Sequence, residues 1–270
     1  MKRFVILLVV VAAIISGCHK KQNRYIDYNP VVKVSNDYVS VQQLTVRLLQ
    51  TFFKITTDSL VINNGYNPDI DGAVCRYSYD TVSDSTFYRI KYGSWGVIDP
   101  FGKRRGGEIL VSLDGNINDS STSGMFVFKN FHYEYDSLSA QNFKIINTGS
   151  NGTSSSSFEI SAGKMKWDTD SIHSIIWSFK QTYRQNGSDE FLIWGELSGT
   201  AQTGMNFRAV NPEDRAIAAG VECAWLENGQ MDFNWGEGGN TAQILFSDST
   251  GCHNKYTLLI NDLRFDGAIE

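Results

Sequence analysis

The chain has 270 residues, 41% of them hydrophobic, with 24 basic and 29 acidic side chains and a formal charge of −5. That length fits one large domain or two small ones. The acid excess, with basic clusters only at His19-Lys20-Lys21 and Lys103-Arg104-Arg105, excludes nucleic acid as an expected partner, and past residue 18 no apolar run approaches the length of a membrane-crossing helix.

At the start, Lys2 and Arg3 precede an apolar run of twelve, Phe4 to Ile15, and Ile15-Ser16-Gly17-Cys18 closes the segment. A short run behind a basic start has the order of a secretion signal and not of a permanent span. The small residues before the cysteine resemble the lipobox of bacterial lipoproteins, in which the thiol receives a diacylglycerol and the cysteine becomes the new N-terminus. Residues 1–17 are thus the expected lipoprotein signal peptide and Cys18 the lipidation site; an ordinary signal peptide with a chance cysteine is the competing reading. Cleavage leaves 253 residues with 22 basic and 29 acidic side chains, a formal charge of −7. A multiply acylated cysteine buries enough methylene to hold the chain on a membrane.

Residues 18–35 are polar and aperiodic and read as a tether, followed by a single β-rich domain over 36–270. Leu44, Leu48, Leu49, Phe52 and Phe53 share one face at 3.6 residues per turn. Their spacing predicts a short N-terminal helix over 39–57, capped by Asn36 or Ser40. A strand competes, because Val39, Val41 and Val46 are β-branched. Thr56, Thr57 and Asp58 end the pattern, and Asn63-Asn64-Gly65 turns the chain. Asn67, Asp69 and Asp71, with Gly72, imitate the opening of a calcium loop. The twelfth position is Ser78 where such a loop needs a bidentate glutamate, so a solvated turn is the favoured reading and no metal is expected.

Beyond Gly72 the chain reads as β. Apolar and polar residues alternate around Ile109, Val111 and Leu113, from His173 through Ile175, Trp177, Phe179 and Tyr183, and around Phe207 and Tyr256. Period-two alternation buries one face and wets the other, the mark of antiparallel sheet. Turn signals fall at Asn151-Gly152, Asn186-Gly187 and Asn228-Gly229. The last predicts a two-residue hairpin between Val221–Leu226 and Met231–Trp235, with Trp225 facing Asp232. About twelve to fifteen strands joined by hairpins are expected, an all-β, mainly antiparallel, elongated or sandwich-like sheet.

Candidate chemistry is sparse. With Cys18 on lipid, Cys75, Cys223 and Cys252 remain in an oxidising compartment, so one bridge forms at most and one thiol stays free. His173 reads as an inward, satisfied histidine; no His-Glu-x-x-His or Gly-x-Ser-x-Gly motif occurs. Glu190, Glu196, Glu222 and Asp232 are the carboxylates a glycosidase would pair, but acids on wet strand faces are commonplace. Trp95, Trp167, Trp177, Trp194, Trp225 and Trp235 would make a sugar platform if exposed in a row, against the default of buried indoles.

The order Cys75, Ile90-Lys91-Tyr92-Gly93, then Asp99-Pro100-Phe101-Gly102-Lys103-Arg104-Arg105-Gly106 and Glu108-Ile109-Leu110-Val111, resembles β-rich envelope lipoproteins of the Bacteroidota. The resemblance continues through Phe128–Phe131, Ile145–Gly149, Ile193–Gly199, Cys223-Ala224-Trp225 and Phe246–Asn254, and so covers about residues 70–262. It implies fold and address and no particular chemistry. Relatives often carry a further cysteine shortly after the position of Gly93; Ser94-Trp95-Gly96-Val97 has none, which fits a free Cys75. The pairing expected with that departure is Cys223–Cys252, with Cys75–Cys223 and Cys75–Cys252 as alternatives. A flat meander would hold Cys223 and Cys252 farther apart than the Cα separation of about 7 Å a bridge allows, so the sheet must coil or a strand must leave the simple order.

The function expected is therefore a non-catalytic binding or structural lipoprotein of the envelope, with no cofactor. A carbohydrate-binding or carbohydrate-processing lipoprotein is the alternative. The partners expected are a membrane, through the N-terminal lipid, and a protein or glycan. Outer-membrane attachment is expected, with the periplasmic face favoured, because surface lipoproteins of related organisms tend to carry acids after the cysteine and His19-Lys20-Lys21-Gln22 has none.

Overall fold

A computed structural model describes residues 28–149, 156–187, 190–223, 225–246, 252 and 254–268. The signal segment, Cys18, most of the tether, Asn151-Gly152 and His253 lie outside these.

Helix α1 spans Asn29–Thr57 and so begins ten residues before the predicted start, inside the segment read as tether. Its stripe continues backward from Ile55 and Phe52 through Leu48, Thr45, Val41, Tyr38, Val34 and Val31, all buried, at alternating steps of three and four residues. Ser35, Asn36 and Asp37 between them gave the stretch its polar look. Pro30 stands in the first turn, where a missing N–H leaves no bond unmade. From residue 41 to 53 every side chain is buried, Gln42, Gln43, Arg47 and Gln50 included. A helix with no wet face needs structure on all sides. Helix α2, Ser59–Asn64, follows: the Asp58 carboxylate caps it by accepting the Val61 N–H at 2.8 Å, and Gly65 ends it in the left-handed conformation.

The strands are β1 Tyr66–Ile70, β2 Ala73–Asp80, β3 Ser85–Ile98, β4 Arg104–Leu113, β5 Ser123–Tyr133, β6 Asp136–Gln141, β7 Phe143–Gly149, β8 Ser157–Asp168, β9 Ser174–Asn186, β10 Glu190–Thr200, β11 Asn206–Asn211, β12 Ile217–Gly220, β13 Leu226–Trp235, β14 Asn240–Phe246, β15 Lys255–Ile260 and β16 Leu263–Ala268. They form one antiparallel sheet in chain order. Two neighbours share each of two positions. β6 and β7 both lie between β5 and β8, parted at Asn142 with the register carried across that break; the β7–β8 pairing shifts between Asn147 and Gly149. β11 and β12 both lie between β10 and β13, parted by the 3-10 turn Glu213–Arg215.

A sheet this wide has to curl, and this one curls around α1. Near the helix start, Tyr28 packs on Phe265 of β16, Asn36 bonds the Tyr256 hydroxyl of β15, and Tyr38 packs on Phe207 and Phe233. In the middle, Gln42 and Gln181 of β9 exchange hydrogen bonds. Near the end, Phe53 packs on Phe158 and Phe191, Phe52 on Tyr88 and Phe126, and Lys54 pairs with Asp71 beyond β1. The last strands thus meet the first half of the helix and the first strands its second half. The sheet winds obliquely along α1, and the all-β fold has the helix as its central post.

The Asn228-Gly229 hairpin does not form. β13 runs straight through the pair, and Gly229 lies opposite Phe246. Its φ is +120°, and a Cβ there would stand 2.6 Å from Ala216 O and Ile217 Cα. The glycine admits the backbone of β12 where the β12–β13 register slips between Ala218 and Ala219. The turn comes instead at Gly236–Gly239, and Asp232 lies opposite Val210 and Gln243, not Trp225. This shift removes the distance objection to the disulfide. Cys223 leads into β13 and Cys252 into β15, which both start at the end of β14 that lies between them. Their Cα atoms are 5.4 Å apart and the sulfurs are at bonding distance, while Cys75 of β2 is a buried free thiol.

Candidate ligand cleft

Three consecutive strands break register side by side. Between β3 and β4, Lys91 faces Glu108 and Gly93 faces Gly107, but Val97 faces Arg105, so Ser94, Trp95 and Gly96 are thrown outward. Gly93 and Gly96 have φ of +78° and +73°, a conformation glycine adopts without strain. Between β4 and β5 the register slips after Gly106, which faces His132. A Cβ on Gly106 would sit inside the His132 ring, and one on Gly107 would stand 2.2 Å from Asn130 O, so the glycine pair lets β5 fold down onto β4. Beyond Tyr133 the chain turns through Glu134, at φ +57°, and Tyr135 into β6. Bulges re-aim side chains and gather beside functional sites.

Here they leave Trp95 90% and Tyr135 83% exposed on the rim of one cleft of about 670 Å³. The Arg104 side chain ties both together: its Nη1 donates to Trp95 O at 3.0 Å, and its guanidinium lies 5.8 Å from the Tyr135 ring centre. His132, Asn130 and Ser137 supply polar groups between them. Lys103 beside Arg104 pairs with Glu134 at 3.2 Å.

Alternation sends the neighbours of these residues inward, where they form a rigid backing. Arg105 is fully buried, pairs with Asp99 at 2.8 Å and donates to Thr51 of α1 at 2.9 Å. Burial opposes its charge, but Tyr92, Asp99 and Tyr133 outweigh that and raise its pKa above the ordinary arginine value. Burial also lifts the Tyr92 and Tyr133 hydroxyls above the usual tyrosine range. Arg47 donates to the Tyr133 hydroxyl at 2.5 Å and lies 5.3 Å from the Phe101 ring. Asp99 also accepts the N–H groups of Phe101 and Lys103, which closes the turn between β3 and β4. Such a buried pair resists movement because separating it strands a charge; Arg105 Nε has no hydrogen-bond partner among the described residues.

The other sequence candidates fall elsewhere. Asn67 accepts the Asp69 N–H, Asp69 accepts the Gly72 N–H, and Asp71 accepts from Thr51 and Lys54. These oxygens serve the β1–β2 turn and α1, not a common centre. Among the described residues the metal-ligating atoms that cluster are those of Cys223, Glu227 and Cys252, and the two cysteines are joined to each other. His173, expected to point inward, is instead exposed before β9 begins and bonds Asp170 at 2.7 Å, because the inward alternation starts only at Ile175. Glu190, Glu196, Glu222 and Asp232 go to Asn186, Arg208, Lys54 and Arg215 respectively, four different partners. Trp177 is buried, Trp167 packs on Tyr133, Trp235 on Phe233, and Trp225 and Trp194 lie under Arg47 and Arg184. No row of tryptophans forms; Trp95 is exposed alone, with a tyrosine for company. The cleft partners Arg104, His132 and Tyr135 carried no signal of their own. The glycines bracketing Ser94-Trp95, and Gly106-Gly107 inside a strand, were the available hint.

No family model, curated protein or solved structure matches this chain.

Proposed function

We propose that the protein is an envelope lipoprotein that binds its ligand without transforming it, held by a lipid on Cys18 and meeting that ligand in the Trp95–Tyr135 cleft. The observation that carries the reading is the coincidence of register breaks in β3, β4 and β5, which together expose two aromatic rings over a rigid, charge-paired backing. An indole, a phenol, a guanidinium, an imidazole and an amide line this cleft; these groups stack and hydrogen-bond. The address rests on the residues around Cys18 and on the resemblance to Bacteroidota envelope lipoproteins. Outer-membrane attachment facing the periplasm is the orientation we favour. The Cys223–Cys252 pair suits an oxidising compartment.

The test is photocrosslinking in intact cells. A benzophenone amino acid replacing Tyr135 should give a discrete adduct that is absent when the same group replaces Val82, which is 94% exposed on another loop. Equal adducts from both positions, or none from 135, would overturn the cleft as the binding site.

A further inference from the structure

We infer that the ligand of this cleft is a neutral glycan, one pyranose ring of which stacks on Trp95; the inference rests on the cleft being the binding site. Three observations converge on that chemistry. An indole this exposed gains nothing from the folded core, although burying it is the ordinary use of tryptophan. Two positive-φ glycines and the hydrogen bond from Arg104 to the Trp95 carbonyl fix the backbone that carries it outward.

The second observation is the mixture of groups. A pyranose offers a flat C–H face for an aromatic ring and a rim of hydroxyls that both donate and accept. Trp95 and Tyr135 answer the face, and the Arg104 guanidinium, the Asn130 amide and the His132 imidazole answer the rim. The cleft volume of about 670 Å³ is in the range of small-ligand sites.

Charge is the third. Beside the site Lys103 is balanced by Glu134, and among the lining Arg104 is the one side chain with a fixed charge; a single guanidinium can hydrogen-bond a neutral sugar but has no second cation beside it to hold a polyanion. A membrane surface also attracts tryptophan and tyrosine. Insertion there calls for an apolar tip, however, and polar Ser94, His132 and Ser137 are among the lining of this site.

The experiment uses the mature chain in affinity electrophoresis through gels containing mixed-linkage β-glucan, α-mannan or amylopectin. Acrylamide quenching of tryptophan fluorescence is followed in parallel, with the same glycans and with phosphatidylethanolamine–phosphatidylglycerol vesicles. At least one glycan should retard the protein and shield Trp95 from acrylamide. Trp95→Ala should weaken that binding about tenfold or more, as loss of a central aromatic anchor does, with an unchanged thermal midpoint. Tyr135→Ala should weaken it less. Retardation that survives Trp95→Ala undiminished, no retardation by any of the three, or shielding by vesicles alone would each overturn the inference. A crosslink from position 135 without glycan binding would leave the site standing and reject the ligand class; no crosslink would reject the site itself.

Discussion

A sheet that surrounds α1 must cover two well-separated helix residues at once, Leu44 and Phe53. They are nine positions apart, about 180° around the helix at 3.6 residues per turn, and so form the two edges of the apolar face that predicted the helix. A helix docked on one face of a flat sheet leaves at least one such edge partly wet. Here both are buried: Leu44 is 2% exposed, and the Phe53 ring packs on Phe158 at 4.9 Å and Phe191 at 4.7 Å. Phe53→Ala deletes a ring from an aromatic cluster and should cost about 3–5 kcal/mol; Leu44→Ala should cost about 2–5 kcal/mol. In a domain of this size each kcal/mol lowers the thermal midpoint by about 2–4 °C, so both variants should melt well below the parent. Leu60→Ala, on the exposed side of α2, should stay within about 0.5 kcal/mol and serves as the control. Calorimetry or denaturant titration of the mature chain gives all three numbers. A loss below about 1 kcal/mol for either Leu44→Ala or Phe53→Ala would refute the surrounding sheet.

Other outcomes follow from the same geometry. Gly229→Val places a side chain against the β12 backbone at 2.6 Å and at φ +120°; it should destabilise by about 1–3 kcal/mol or more, and a neutral result would refute the close approach of β12. Burial, reinforced by the Asp71, Asp58 and Asp69 carboxylates, pushes the Cys75 thiol up to about 12. Iodoacetamide at pH 8 should therefore leave it unlabelled until the chain unfolds. Non-reducing peptide mapping should yield one crosslinked pair, Cys223 with Cys252; a crosslink to Cys75 contradicts the structure. Reducing that bridge, which closes a separation of 29 residues, should cost about 3–4 kcal/mol in the chain-entropy picture. Cys18→Ala should abolish acyl labelling and release the protein from the membrane fraction, and labelled lipid persisting in that variant would sink the anchor.

The inward faces of the strands were legible in the chain, because period-two alternation is a local property. Ile109, Val111, Trp177, Phe179, Phe207, Leu258 and Ile260 all point inward as their alternation predicts. The helix too announced itself through Leu44 to Phe53, although Ser35, Asn36 and Asp37 hid its first ten residues. What no local pattern carries is where neighbouring strands slip. Asn228-Gly229 has the composition of a turn, yet Gly229 serves the approach of β12, the strand just before β13, whose slipped pairing no local pattern announces. His173 continued an alternation on paper and fell outside β9 in space. The cleft is the clearest case, since Trp95, Arg104, His132 and Tyr135 come from different strands and turns and meet only because β3, β4 and β5 bulge at the same level. The sequence by itself determined which residues seek the interior. The tertiary structure decided that this interior is a helix wrapped by sheet, and that the sheet's register breaks fall side by side, because both depend on contacts between residues far apart in the chain.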